Sequence, residues 1–219
     1  MKAVVRAACA LLLAAPFFFW NFSASAQVTA VAPVTVLPQY NHRWELYGGG
    51  QYSHFNPSPA RGIAANNLVG WNGTATVFMR PAWGWQVSGR GLYGSMSVPP
   101  NPYNVPPNPK MSEYLFLFGP TFRIIRGQTW GAGFHTLFGA AYGTFDKDFP
   151  TGVQPNQVNI YNTKVAFGAA VGWFTDYNIS SRLAIRGIAD YQPTHYGYTG
   201  QNEFAGSLGV VFKFGQIIK

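Results

Sequence analysis

Glu45, Arg90, Arg123, His135, Lys164, Arg186, Asp190, Glu203 and Lys213 each stand singly in stretches that alternate apolar with small or polar residues. Carboxylates, cations and an imidazole brought to one place permit either a proton-transfer or nucleophilic site, or a set of ion pairs that only holds a shape. A hydrolase of acyl groups needs a serine or histidine backed by a carboxylate. His195 lies in a loop beside Tyr196 and Tyr198, but no serine and acidic residue stand at a convincing spacing from it. His135 falls inside an alternating stretch and reads as a hydrogen-bonded core histidine. The expectation is a charge network with no catalytic residue, no cofactor and no metal site, in a protein that is not an enzyme.

The elements that carry these residues are strands. From Gln201 to Phe214, the residues Phe204, Leu208, Val210, Phe212 and Phe214 alternate with Glu203, Ala205, Ser207 and Lys213. That is a period of two, not 3.6. The same pattern recurs over Arg43–His54, Leu68–Met79, Trp83–Ser97, Ser112–Ile125, Trp130–Phe145, Tyr161–Phe174 and Arg182–Gln192. Each of the eight stretches matches or exceeds the roughly 9 to 11 residues that a strand needs to cross a bilayer. Arg80-Pro81-Ala82, Arg126-Gly127-Gln128 and Asp176–Ser181 make the short connections. Asn56–Asn67, Ser97–Met111, Asp146–Asn159 and Gln192–Gln201 make the long ones. The proline-rich stretch from Ser97 to Lys110 is expected to stand clear as a stiff loop.

Composition decides what surrounds the strands. Charged residues are 10% of the 219 and aromatic residues 17%, against about 25% charged in ordinary soluble domains. Apolar residues outside and polar ones inside are the reverse of a soluble barrel that binds an apolar ligand. Lys2 and Arg6, an apolar run over Ala7–Phe22 and Ala24-Ser25-Ala26 form a signal peptide over residues 1–26, cleaved after Ala26. Cys9 leaves with it, so no disulfide or thiolate site is expected. Removing Lys2 and Arg6 takes the 15 basic residues to 13 against 7 acidic ones, a net +6. The arginines are scattered singly, which excludes a nucleic-acid interface and favours lipid headgroups or acidic sugars as counter-charges.

Alternating short and long connections describe an up-and-down barrel with two unlike ends. In hydrocarbon such a sheet must close, because each unpaired edge group costs several kcal/mol. The fold class expected is all-β: an eight-stranded antiparallel transmembrane barrel over residues 43–215. An extended periplasmic lead-in over 27–42 precedes it, and a short tail over 216–219 follows. Trp44, Trp83, Trp85, Trp130 and Trp173 fall near the short-turn ends, as an interfacial aromatic belt would. Lys164 and Asp190 sit at similar heights on adjacent strands, and closure makes Glu45 and Lys213 neighbours. The interior of an eight-stranded barrel is filled by side chains, so these charges are expected to form a polar plug.

The segments YLFLFGPTF (114–122), FHTLFGAAYG (134–143), SRLAIRGIADY (181–191) and QNEFAGSLGVVFKFG (201–215), in this order of strands, resemble the outer-membrane protein beta-barrel domain family. That family is akin to the transmembrane domain of OmpA and to OmpX. The resemblance implies an outer-membrane location in a Gram-negative-type envelope. It also implies a closing-strand signal, to which Phe212 and Phe214 correspond, read by the barrel assembly machinery. The partners then expected are outer-membrane lipid and lipopolysaccharide, with an extracellular glycan or protein ligand at the long loops, for a chain that is a monomer. The function expected is structural and surface-interacting. A narrow porin-like channel and an acyl hydrolase or transferase that modifies lipid A are the alternatives.

Overall fold

A computed structural model describes residues 40–57, 64–162 and 164–217. The expected signal peptide with its cleavage point, and the expected lead-in as far as residue 39, lie outside the described residues. Eight strands follow one another: β1 Trp44–Asn56, β2 Asn66–Arg80, β3 Trp83–Ser95, β4 Lys110–Arg126, β5 Trp130–Thr144, β6 Val165–Asn178, β7 Leu183–Tyr191 and β8 Asn202–Phe214. They form one closed barrel in chain order. Every neighbouring pair is antiparallel, and β1 pairs with β8 from Trp44↔Phe214 through Glu45↔Lys213 to Asn56↔Asn202.

The alternation in the sequence becomes an inside and an outside. Along β1, Glu45, Tyr47, Gln51, Ser53 and Phe55 are buried while Trp44, Leu46 and Tyr52 are exposed. The outward set includes Leu208 at 67% exposure and Phe116 and Val165 at 63%. An apolar surface of that extent around a closed barrel is stable only against hydrocarbon. No helix among the described residues is long and apolar enough to cross a membrane; the crossing is made by strands.

The short connections 81–82, 127–129 and 179–182 lie at one end, together with both ends of the barrel segment. Ile217 N donates to Asn41 O at 2.8 Å, so the tail is tied to the lead-in. Tyr40, the first described residue, turns under the barrel. Its hydroxyl donates to Gly127 O at 2.8 Å and accepts from Asn178 Nδ2 at 2.9 Å.

Three expectations change. The sixth strand was expected over Tyr161–Phe174 and runs over Val165–Asn178 instead. Ile160 and Tyr161 are drawn into the barrel behind a 3-10 turn at Pro155–Val158, and Asp176 belongs to the strand rather than to a turn. The proline-rich stretch does not stand clear. Met96 N donates to Pro109 O at 3.0 Å and Val98 N to Pro107 O at 2.8 Å, with Val98 and Val105 buried. Proline lacks the N–H but keeps its carbonyl, so non-proline donors on one arm suffice to pair the two.

The third change concerns the interior, which was expected to be polar throughout. Toward the long loops it is apolar: Phe55, Leu68, Leu92, Met96, Leu115, Leu137 and Phe145 form one cluster with Ile160, Tyr161 and Tyr196 from the loops. The charges are confined mainly to the middle and to the short-turn half.

Candidate functional site

The interior charges form three tiers. At the short-turn end Glu45 on β1 binds Arg123 on β4 at 2.6 Å and Arg186 on β7 at 2.8 Å. Arg186 also holds Asp176, its cross-strand partner on β6, at 2.6 Å. Lys213 on β8 reaches Asp176 at 3.3 Å and donates to Asn178 Oδ1 at 2.7 Å. The Arg123 guanidinium lies 3.4 Å over the Phe78 ring centroid and 5.4 Å from that of Tyr40. Two carboxylates and three cations, all buried, are thus knotted across the lumen, with aromatic faces taking the excess positive charge.

The middle tier is built on Asp190 of β7. One carboxylate oxygen meets Arg90 on β3 at 2.7 Å and the other His135 Nε2 on β5 at 3.0 Å. Arg90 donates further to Gln192 Oε1 at 2.6 Å and to Ser88 Oγ at 3.1 Å. The third tier lies at the loop end, where Glu203 on β8 accepts a hydrogen bond from Ser53 on β1. Glu113 on β4 lies against Glu203 and against the Tyr196 phenol. All of these side chains are buried.

The structure therefore gathers Glu45, Arg90, Arg123, His135, Arg186, Asp190, Glu203 and Lys213 inside. Lys164 is a correction. It precedes β6, its side chain is 46% exposed, and it pairs with Asp146 in the outer loop at 3.1 Å rather than with Asp190. The chain leaves the sheet before Val165, so the inward phase counted back to Lys164 no longer applies. Glu45 and Lys213 are register partners, but each bonds elsewhere, to the arginines and to Asp176 respectively.

Asp176 and Glu113 are the buried acids that the sequence reading missed. Asp176 continues the inward phase of Gly172 and Phe174, and Glu113 stands two residues before Leu115 and four before Leu117 on the inward face of β4. Extending the sixth strand's phase by one step would have found Asp176, and Glu113 already lay within Ser112–Ile125 in phase with Arg123.

Trp44, Trp83 and Trp130 open β1, β3 and β5 at the short-turn end, with Trp85 two residues on and stacked on Phe118 at 5.1 Å. Trp173 lies against Phe134 at 5.7 Å. Phe212 and Phe214 stack on each other at 5.7 Å beside the closing seam.

What can this arrangement do chemically? His135 is held by Asp190 and stacked along Phe174 at 6.5 Å, fully enclosed. Among the described residues no group of three or more His, Cys, Asp or Glu side chains is placed to hold a metal ion. His195 is exposed, and its backbone N donates to Phe167 O at 3.0 Å. The ion pairs tie β1, β3, β4, β5, β6, β7 and β8 to one another across the interior.

Comparison of the whole structure with solved ones then places the architecture. Ail, the attachment invasion locus protein of Yersinia pestis, is 16% identical, with a TM-score of 0.51 over 80% of this chain and 99% of Ail. OprG of Pseudomonas aeruginosa is 13% identical, with a TM-score of 0.54 over 80% of this chain and 98% of OprG. Neisserial surface protein A is 12% identical, with a TM-score of 0.54 over 78% of this chain and 97% of its own. The fold is that of the small outer-membrane barrels. Identity this low carries the fold and nothing finer. No protein-family model matches the chain, and no curated protein sequence matches it.

Proposed function

We propose that the protein resides in the outer membrane as a monomeric barrel whose interior is a structural plug, and that its activity lies in the long loops facing outward. The observation that carries this reading is the succession of buried side chains along the lumen. Tyr40 closes the short-turn end, the Glu45 and Asp190 networks span the lower half and middle, and Tyr161 and Tyr196 fill the loop end. The loops act on lipopolysaccharide headgroups and on an extracellular glycan or protein, and catalysis is no part of the role. Assembly through the barrel assembly machinery, and kinship with the OmpA and OmpX type of barrel, belong to the same proposal. The order of strands and the alternation of short and long connections support that kinship. Ail, a barrel of similar fold, has attachment and invasion in its name.

Planar-bilayer recording with the refolded protein tests the plug: no steady current is expected, and ohmic conductance would establish a narrow channel instead. Labelled lipid A incubated with the protein is expected to stay unchanged. Deleting residues 97–109 is expected to lower binding of cells to glycan-coated or protein-coated surfaces while heat-modifiable gel mobility stays that of a folded barrel.

A further inference from the structure

Glu113 and Glu203 stand on opposite walls of the barrel, β4 and β8, and meet across its loop end. Both are fully buried. Elsewhere in the barrel each buried carboxylate has a cation: Glu45 has Arg123 and Arg186, Asp176 has Arg186 and Lys213, and Asp190 has Arg90. This pair has none among the salt bridges of the described residues. Arg90, whose charge acts on Glu203, is already bound to Asp190 and Gln192. Two neighbouring carboxylates removed from water without counter-charge are strongly disfavoured as a pair of anions.

The hydrogen-bond pattern adds an independent sign. Both oxygens of Glu113, Oε2 of Glu203 and the hydroxyl of Tyr196 are buried without a partner at full hydrogen-bonding geometry, although Glu113 lies close to both Glu203 and the Tyr196 hydroxyl. Tyr196 comes from the loop between β7 and β8, is fully buried, and faces Glu113. Burial and then the Glu113 carboxylate push its phenol well above the ordinary range, so it keeps its proton and offers a neutral oxygen. Orphaned buried oxygens from three elements converge where Ser53 Oγ completes the shell. Buried polar groups are almost always satisfied, and an ion is one of the few explanations when several together are not.

We propose that Glu113, Glu203 and Tyr196 form a binding site for one hard divalent cation of calcium's class, fastening β4, β8 and the β7–β8 loop together at the outer end of the barrel. The donor set is all oxygen, the charge of the two carboxylates equals that of the ion, and carboxylates from opposite walls can approach it from both sides. These are features of a calcium site, whereas thiolate and imidazole donors for softer metals are missing from this cluster. The site is independent of what the loops bind.

Terbium stands in for calcium and is sensitised by an adjacent tyrosine, which Tyr196 supplies. The refolded full chain in detergent, excited at tyrosine, is expected to give terbium emission that calcium displaces. Glu113→Gln with Glu203→Gln should lower terbium affinity by about tenfold or more, since affinity follows the carboxylate count. Tyr196→Phe should cut the sensitised emission more than the affinity. Without any variant, chelation by EDTA should lower the temperature at which the wild-type band shifts to its unfolded mobility, and calcium should restore it. The proposal is overturned if calcium fails to displace terbium emission. It is also overturned if EDTA leaves the wild type unchanged while the doubly substituted chain folds and is more stable, since the pair would then be holding a proton and not a metal.

Discussion

Arg186 grips Asp176 through two parallel hydrogen bonds, Nε to Oδ1 at 2.6 Å and Nη2 to Oδ2 at 2.8 Å, from directly opposed positions on β7 and β6. The same guanidinium reaches Glu45 on β1 and lies 4.3 Å over the Phe174 ring. One side chain thus fastens three strands. Arg186→Ala leaves two buried carboxylates short of a cation and is expected to destabilise the barrel by about 3 to 5 kcal/mol. Urea unfolding from lipid vesicles, followed by tryptophan fluorescence, measures it. A shift of the midpoint no larger than that of Arg43→Ala, at the barrel's exposed edge, would contradict the central position given to Arg186.

Gly172 lies against Asp190 in the β6–β7 register, and a Cβ there would collide with Asp190 Oδ1 and Ala189 O. Gly187, on the neighbouring strand, has open space where its Cβ would go. Gly172→Ala is expected to cost about 1 to 3 kcal/mol through displacement of Asp190, and to move the His135 imidazole resonances. Gly187→Ala should do neither.

Leu208, 67% exposed near the middle of β8, marks the lipid-facing side of the closing strand. Leu208→Arg is expected to cost roughly 2 to 4 kcal/mol in bilayers. Ser207→Ala removes an inward hydroxyl that bonds Tyr47 and donates to Gly50 O at 2.9 Å, and acts by a different route. Folding of Leu208→Arg into vesicles as efficiently as the parent would reverse the facing of the strand.

His42, just before β1, is held below its ordinary pKa by burial first and then by the positive charges of Lys213 and Arg123. The folded chain therefore binds a proton here less readily than the unfolded one. Its contribution is whole above the unfolded value of about 6.5 and is lost as the pH falls from there through the folded value. Unfolding midpoints taken between pH 8 and pH 5 should decline on the acid side for the parent and decline less for His42→Gln.

Period-two alternation carried the strand count, the facing of each side chain and the order of long and short connections, because a pleated strand converts sequence parity directly into inside or outside. Parity alone says nothing of height or of which wall faces which. Glu45 and Lys213 were legible as neighbours across the seam, yet the bonds that Glu45 makes run to Arg123, three strands away, and to Arg186, two away. Lys164 had the right parity and the wrong structure, because the strand that would give its parity meaning begins one residue later. The apolar loop end was hidden for a related reason. Ile160, Tyr161 and Tyr196 belong to loops, where no periodicity announces that a side chain returns to the core.

The seam between β1 and β8 joins residues as far apart as Trp44 and Phe214, and the Tyr47–Ser207 hydrogen bond within it spans 160 positions. Every other strand pairing in the barrel is between chain neighbours. Hairpins can therefore form early at small entropic expense, while the seam must wait for nearly the whole chain to be ordered. Until it zips, two strand edges face hydrocarbon with their amides unmet. Closure is thus the slow, concerted last event of folding, and a chain halted before it would be the form most exposed to pairing with a second copy of itself.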